Sequence, residues 1–348
     1  MTPEEVRSAA KLKMKGICGV YKACDGDPSR LCQNQIYGGP MQIGGAGSGA
    51  SFANNYNDLA KIRVRMQVIG PNFTPDTSTT LFGKTMRMPI YGAPVTGVNS
   101  FGGESVIAEK DFCAATVEGC RQAGAIAFRG DTSTYRNEYT PGIEAIANAD
   151  GHGIVIIKPR AQEDILKRIA AAEKAGALAV GVDVDGCGSY MMNANKQPVY
   201  RKSIEDLREL ASSTQLPFIV KGIMCVQDAE AAIEAGAAAI VVSNHGGRVL
   251  DHTPGSATVL PAIVSAVGKH CTILADGGVR TGTDALKMLA LGAQGVLIGR
   301  DLIRAAIGAG AEGVRVHMEH LKNNLAASML MTGCPTLADI TPAVLECP

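Results

Sequence analysis

Eight short apolar runs, each followed by a stretch of helical spacing, fill the chain from about Pro89 to its end. The runs are Ile90–Ala93, Ala125–Phe128, Ile154–Lys158, Leu178–Val184, Phe218–Lys221, Ala239–Ser243, Thr272–Ala275 and Gly295–Ile298. Amphipathic patterns such as Glu163–Ala175, Ile204–Ala211, Ala229–Ala235 and Asp284–Leu291 lie between them. Strands alternating with helices argue for a parallel sheet, and eight such units predict a closed (β/α)8 TIM barrel. Ser203 with Asp206 reads as a capping box, and Ala175-Gly176 and Ala235-Gly236 read as helix ends closed by a C′ glycine.

Residues 1–70 do not follow this rhythm, and the division expected is an N-terminal Cys/Gly-rich segment over 1–70 with a barrel over 71–348. Thr2-Pro3-Glu4-Glu5 reads as a helix start leading to Met14, its lysines on a solvated face. Beyond it come Gly38-Gly39-Pro40, Gly44-Gly45-Ala46-Gly47-Ser48-Gly49 and Asn54-Asn55-Tyr56-Asn57. The glycines suit either a flexible linker or an N-terminal extension packing at the barrel mouth, where backbone must approach a ligand closely.

Composition removes several classes. Lys plus Arg equals Asp plus Glu at 33 each, so no global charge points to nucleic acid or a membrane surface. No apolar stretch approaches the ~18 residues of a membrane span. Ten cysteines without a signal peptide or a secreted spacing pattern point to reduced thiols in a cytoplasm. Cys18, Cys24 and Cys32 cluster near the start. Three thiols could ligate iron–sulfur with a fourth, but their spacing matches no C-x-x-C pattern, and the reading is of no metal.

Active sites of such barrels sit where the strands end at their carboxyl termini. The fourth run ends in Asp183-Val184-Asp185 and the fifth in Lys221-Gly222. The sixth leads into Ser243-Asn244-His245-Gly246-Gly247-Arg248. The seventh gives Asp276-Gly277-Gly278-Val279-Arg280, and the eighth Gly299-Arg300. Carboxylate, ammonium, imidazole and guanidinium thus converge on one rim. Asp183 and Asp185, two apart, are expected on the same side of their strand. The last two turns read as a phosphate site, with glycine N–H groups, a following helix, and Arg280 and Arg300 as bidentate partners.

From Phe218 to Ile340 these motifs, with Thr332-Gly333-Cys334-Pro335, resemble the FMN-dependent α-hydroxy-acid oxidising family of glycolate oxidase, lactate oxidase and flavocytochrome-type lactate dehydrogenases. Thr79-Thr80-Leu81-Phe82-Gly83, Met88-Pro89-Ile90 and Ala93-Pro94 extend the likeness upstream. The resemblance implies FMN and oxidation of a 2-hydroxy acid to the 2-oxo acid, with the electron acceptor left open between oxygen and a quinone, cytochrome or flavoprotein. It implies His245 as general base oriented by Asp185, Arg248 as the clamp on the substrate carboxylate, and Lys221 beside flavin N1 and the C2 carbonyl. Ser243 would bond the flavin, and Asp276, Gly278, Arg280, Gly299 and Arg300 would hold its ribityl and phosphate groups. Pro94, Val95, Thr96, Gly130, Lys158 and Asp183 complete the expected cofactor contacts. A homo-tetramer or larger assembly is implied as well.

The first half departs from that pattern. Met41 and Lys158 stand where the family carries active-site tyrosines, with Tyr37 near enough to replace the first; Ile156 replaces a glutamine and Gly130 a serine. With His245 and Arg248, Tyr37 and Lys158 are the expected substrate contacts. Arg129, Lys158 and Arg160 are extra cations at two strand ends, which suggests a substrate with a second anionic group. The competing readings are a phosphate-site barrel of the inosine-monophosphate-dehydrogenase or FMN-dependent isopentenyl diphosphate isomerase type, and a flavin-binding protein without turnover.

Overall fold

A computed structural model describes residues 1–14, 46–98 and 106–346. Its centre is an eight-stranded, all-parallel sheet made of β1 (Ile90–Gly92), β2 (Phe128–Gly130), β3 (Ile154–Ile157), β4 (Ala179–Asp183), β5 (Phe218–Ile223), β6 (Ala239–Val242), β7 (Thr272–Asp276) and β8 (Gly295–Ile298). Each strand pairs with its sequence neighbour, and β8 pairs with β1. A parallel bridge between Gly92 and Ala127 closes the ring, so the barrel has no free edge.

Closure also explains where the strand limits move. The apolar run Ala125–Phe128 is fully buried, but regular pairing with β3 starts only at Phe128. Residues 125–127 form the seam instead: the Gly92 N–H donates to Ile126 O and the Ile154 N–H to Ala127 O. Inside, Tyr91, Phe128, Ile154, Ile219, Val241 and Leu297 form one cluster, drawn from alternate strand positions as period-2 side chains must be. Leu81 and Met86 of the hairpin Thr79–Leu81/Lys84–Met86 join it just before β1 begins. A second, larger cluster lies between the strands and the surrounding helices.

Local signals fall where expected. Ser203–Asp206 and Thr281–Asp284 are capping boxes, each contributing about 1 kcal/mol. Gly176 and Gly236 have φ of +71° and +93°, the left-handed geometry a C′ residue needs. The helix Pro3–Met14 packs on the C-terminal helix Arg300–Met331. Lys13 is not a free surface lysine as its pattern suggested. It donates to the carbonyls of Ile307 and Gly308, where the long helix breaks at Ala309 and Gly310 and leaves carbonyls in need of donors.

The segment before the barrel packs at its mouth. Helix Ala50–Lys61 sits against the turn after β6, and Asp251 accepts from the Ser48 and Ala50 N–H groups at its start. Arg63–Val64 then pairs antiparallel with Leu345–Glu346. No helix among the described residues is long and apolar enough to cross a membrane.

Candidate active site

The turn after β6 is shaped by three consecutive left-handed residues, His245 (φ +58°), Gly246 (+63°) and Gly247 (+80°). Glycine accepts this freely, whereas histidine does so at a cost of order 1 kcal/mol or more. The Asn244 side-chain carbonyl accepts from the Gly247 N–H (3.0 Å) and from Asn55 Nδ2 (2.8 Å). Ser243 Oγ accepts the His245 N–H at 3.0 Å, and Gly247 O accepts from Ala46 N–H at 2.7 Å. A Cβ on Gly247 would overlap the Phe52 backbone. Asn244, Asn55 and Phe52 thus hold the turn that carries His245, a role hidden in the sequence because helix Ala50–Lys61 meets the turn only after folding.

His245 Nδ1 lies 3.0 Å from Asp185 Oδ1 and 3.8 Å from Asp183 Oδ2. The two carboxylates converge, but not through strand pleating: β4 ends at Asp183, and residues Val184–Gly188 curl into a 3-10 turn. Gly222 makes room for this, since at φ +98° its missing Cβ would overlap the Asp185 carboxylate. Burial works to raise the Asp185 carboxyl, but His245 and Lys221 outweigh it and hold it down at about 2. Burial lowers the His245 imidazole; Asp185 opposes this and Lys158 adds to it. On the other side of the ring, Lys158 Nζ is 3.4 Å from Nε2 and 2.6 Å from Asp183 Oδ2. Asp183, Asp185 and His245 are spaced closely enough to share a cation; the Lys158 ammonium already places a positive charge against them.

Lys221 is buried, with Nζ 2.8 Å from Ser243 Oγ and 3.4 Å from Asp276 Oδ2. Burial works against its charge, yet Asp276, Asp185 and Asp183 raise it. Ser243 is fully buried, and its hydroxyl positions Lys221 and the His245 backbone. Gly130 is set back in the same way; a Cβ there would overlap the Pro94 carbonyl. Asp183 and Asp185 also stand behind the lining side chains.

The cavity has a volume of about 620 Å³, inside the roughly 300–1,000 Å³ range of small-molecule sites. Pro94, Val95, Thr96, Lys158, Lys221, His245 and Arg248 line it. Asp276, Gly278, Arg280, Gly299 and Arg300 line the far end. There Arg280 lies over the Tyr56 ring at 4.7 Å and Arg300 over Phe52 at 4.5 Å, so helix Ala50–Lys61 orients both guanidiniums. Arg300 opens the long C-terminal helix, which adds a partial positive charge at this end. Asp276 lines this end as well, and its Oδ1 is a buried acceptor without a hydrogen-bond partner. A phosphate end, a hydroxyl acceptor and a buried ammonium in that order fit FMN.

Arg248 also lines the cavity. Among the described residues its guanidinium has no hydrogen bond or ion pair, and burial together with neighbouring Arg300 pushes it down to about 10.

The cations that suggested a second substrate anion are otherwise engaged. Arg129 points out of the barrel, over the Phe112 ring and onto Thr116 Oγ1 at 2.9 Å. Arg160 is buried against Asp131 at 2.6 Å and Gln197, and Lys158 is held by Asp183. Strand alternation turns Arg129 outward, and Asp131, Gln197 and Asp183 lie too far away in sequence to be read as partners. Tyr37, Met41, Cys18, Cys24 and Cys32 lie outside the described residues.

Comparison with known proteins identifies the family. The model of a family described as FMN-dependent dehydrogenase matches residues 41–197 and 188–347. The chain belongs to this family. It is 34% identical over 352 residues to an L-lactate dehydrogenase of Caulobacter vibrioides (strain NA1000 / CB15N), covering 87% of this chain and 91% of the relative. With an L-lactate oxidase of Lacticaseibacillus rhamnosus (strain LMS2-1) it shares 32% over 326 residues, covering 85% and 86%. A mandelate oxidase structure with benzoyl-formic acid superposes with a TM-score of 0.73 at 30% identity, covering 87% and 90%. Like the family, the protein is an FMN-dependent oxidoreductase of 2-hydroxy acids, which sets aside the nucleotide-dehydrogenase, isomerase and non-catalytic readings.

Proposed function

We propose that the protein oxidises a 2-hydroxy monocarboxylate to the 2-oxo acid, with Arg248 gripping the carboxylate and His245 accepting the substrate proton. The observation that carries this is the Arg248 guanidinium, unpaired among the described residues, in the same cavity as His245. A half-buried cation without an anion beside it carries a desolvation cost, and a ligand carboxylate offsets that cost. The planar fork then fixes the substrate in one orientation. Asp185 fixes the imidazole through Nδ1, which leaves Nε2 as the accepting atom.

When bound, FMN supplies a two-electron acceptor. Its phosphate is assigned to Arg280, Arg300 and the N–H groups at Gly278 and Gly299, and its ribityl chain to Asp276. Lys221 would stabilise negative charge gained by the ring. Tyr37 is kept as a further substrate contact on the resemblance.

The cavity is also lined by Asp131, which is paired with Arg160, and by a polar lobe of Thr132, Ser133, Thr134, Ser189 and Asn195, all uncharged and able to hydrogen-bond. With Arg160 and Lys158 already paired, this lobe suits a short polar tail without a second charge. Anaerobic flavin reduction by lactate- or glycerate-like monoanions should therefore exceed that by malate- or tartronate-like dianions by at least about tenfold, the effect of ~1.4 kcal/mol. Equal or faster reduction by a dianion would refute this substrate class.

A homo-tetramer or larger form and a cytoplasmic setting belong to the same reading. Exposed Met66, Val68, Ile69, Leu330 and Met331 offer apolar surface for assembly, and all six described cysteines are free thiols.

A further inference from the structure

Lys158 occupies an unusual position for a cation. It stands at the end of β3, where the resemblance places a tyrosine, and its ammonium faces the one imidazole nitrogen that must accept a proton. We propose that Lys158 is a positioning residue for proton transfer: anchored on Asp183, its ammonium covers His245 Nε2 in the substrate-free enzyme and holds the imidazole neutral. The inference rests on the reading of His245 as the base.

The geometry sets the argument. His245 Nδ1 is 3.0 Å from Asp185 Oδ1, so Nδ1 carries a proton in any state that keeps this hydrogen bond. Asp183 Oδ2 lies 3.8 Å from the same nitrogen. Two carboxylates beside one imidazole favour the imidazolium, which has no lone pair left for a substrate proton. Lys158 Nζ opposes them from the other side, 3.4 Å from Nε2. An ammonium has donors and no acceptor, so it approaches Nε2 favourably only while that nitrogen is unprotonated.

Asp183 serves two ends of this arrangement. At 2.6 Å it fixes the Lys158 ammonium, and that contact draws its charge away from the imidazole. The charged groups facing His245 are Asp185 and Asp183 from the end of β4, Lys158 from β3 and Lys221 from β5. Lys221 is itself shared with Asp276, so it cannot replace Lys158. The lowered imidazole agrees with this balance, burial being the largest cause and Lys158 a further one against Asp185. In catalysis the substrate hydroxyl takes the ammonium's place at Nε2, while Lys158 stays tied to Asp183.

The test uses the holoenzyme with ¹⁵N-labelled histidine, read by NMR against pH without substrate, the His245 signals being assigned with H245N. In the wild type His245 should remain the neutral Nδ1–H form to below pH ~6.5. In K158M its titration should move up by about one unit or more. The acid limb of kcat/KM should move with it, so that activity at pH 6.5 falls about two- to fivefold for a one-unit shift and recovers towards pH 9. K158R should restore most of the shift. K158Q, which can still bond Asp183, keeps the test open should K158M fold poorly, and its expected shift is the same. A neutral variant with unchanged His245 titration and an unchanged acid limb, or with only a raised KM, would overturn the proposal. A shifted titration in an enzyme that oxidises no 2-hydroxy acid would uphold this role for Lys158 and reject the reaction assigned above.

Discussion

Replacing His245 with glutamine is expected to slow anaerobic flavin reduction by about 10²–10⁴-fold, the usual contribution of a positioned general base. Glutamine keeps roughly the size and a polar tip but accepts no proton. The loss should fall in kcat, because Arg248 still grips the carboxylate. The FMN spectrum and content should be unchanged, since the phosphate and ribityl contacts assigned above lie at the far end of the cavity. The pH profile carries a second signature. His245 is lowered from its ordinary 6.5, by burial first and by Lys158, against Asp185. The base is therefore neutral and active above that lowered value and loses activity as pH falls through it, and in H245Q this acid limb should disappear. A reduction rate within tenfold of the wild type, measured by stopped-flow absorbance, would move the proton acceptor elsewhere.

Arg248 should give the second large effect, and one with two signs. Its guanidinium is depressed to about 10 by burial and by Arg300. The charged form is thus penalised in the folded protein at every pH below that value, and the penalty fades only as pH rises through the folded and then the unfolded pKa. In R248M this strain is gone, so the substrate-free holoenzyme should melt at a higher temperature than the wild type at pH 7. Catalysis should move the opposite way. Removing one member of a buried charge pair costs about 2–5 kcal/mol, which corresponds to a loss of at least ~30-fold in kcat/KM. R248K keeps the charge but loses the bidentate fork and should recover only part of it. Thermal shift with a 2-oxo acid product checks the same point: stabilisation present in the wild type should vanish in R248M. An R248M enzyme that is less stable without ligand and still stabilised by product would remove Arg248 as the carboxylate anchor.

The barrel was legible because its signals are local. Each strand is a buried apolar run and each helix has its own spacing and caps, so the eight units could be counted from period alone. The seam at residues 125–127 was misplaced because ring closure joins the first strand to the second and last, a long-range condition no window reveals. At the site, His245, Asp185, Lys221 and Arg248 were visible as strand-end chemistry. Their partners were not. Asn55 and Phe52 lie nearly 200 positions before the turn they hold. Gly222 looks like any turn glycine until Asp185 is seen to need its empty side. Arg160 reads as a spare cation only while Asp131 and Gln197 are unknown as its neighbours. Sequence gives the charge of a side chain; only the fold shows whether that charge is already matched.

The measurement that tests the central claim most directly is the anaerobic visible spectrum of the purified protein during titration with 2-hydroxy monocarboxylates. The account predicts a yellow protein whose flavin band bleaches with at least one of them, with one equivalent of 2-oxo acid formed per FMN. A yellow protein that binds these acids and is reduced by none, while an artificial reductant bleaches it normally, would contradict the account.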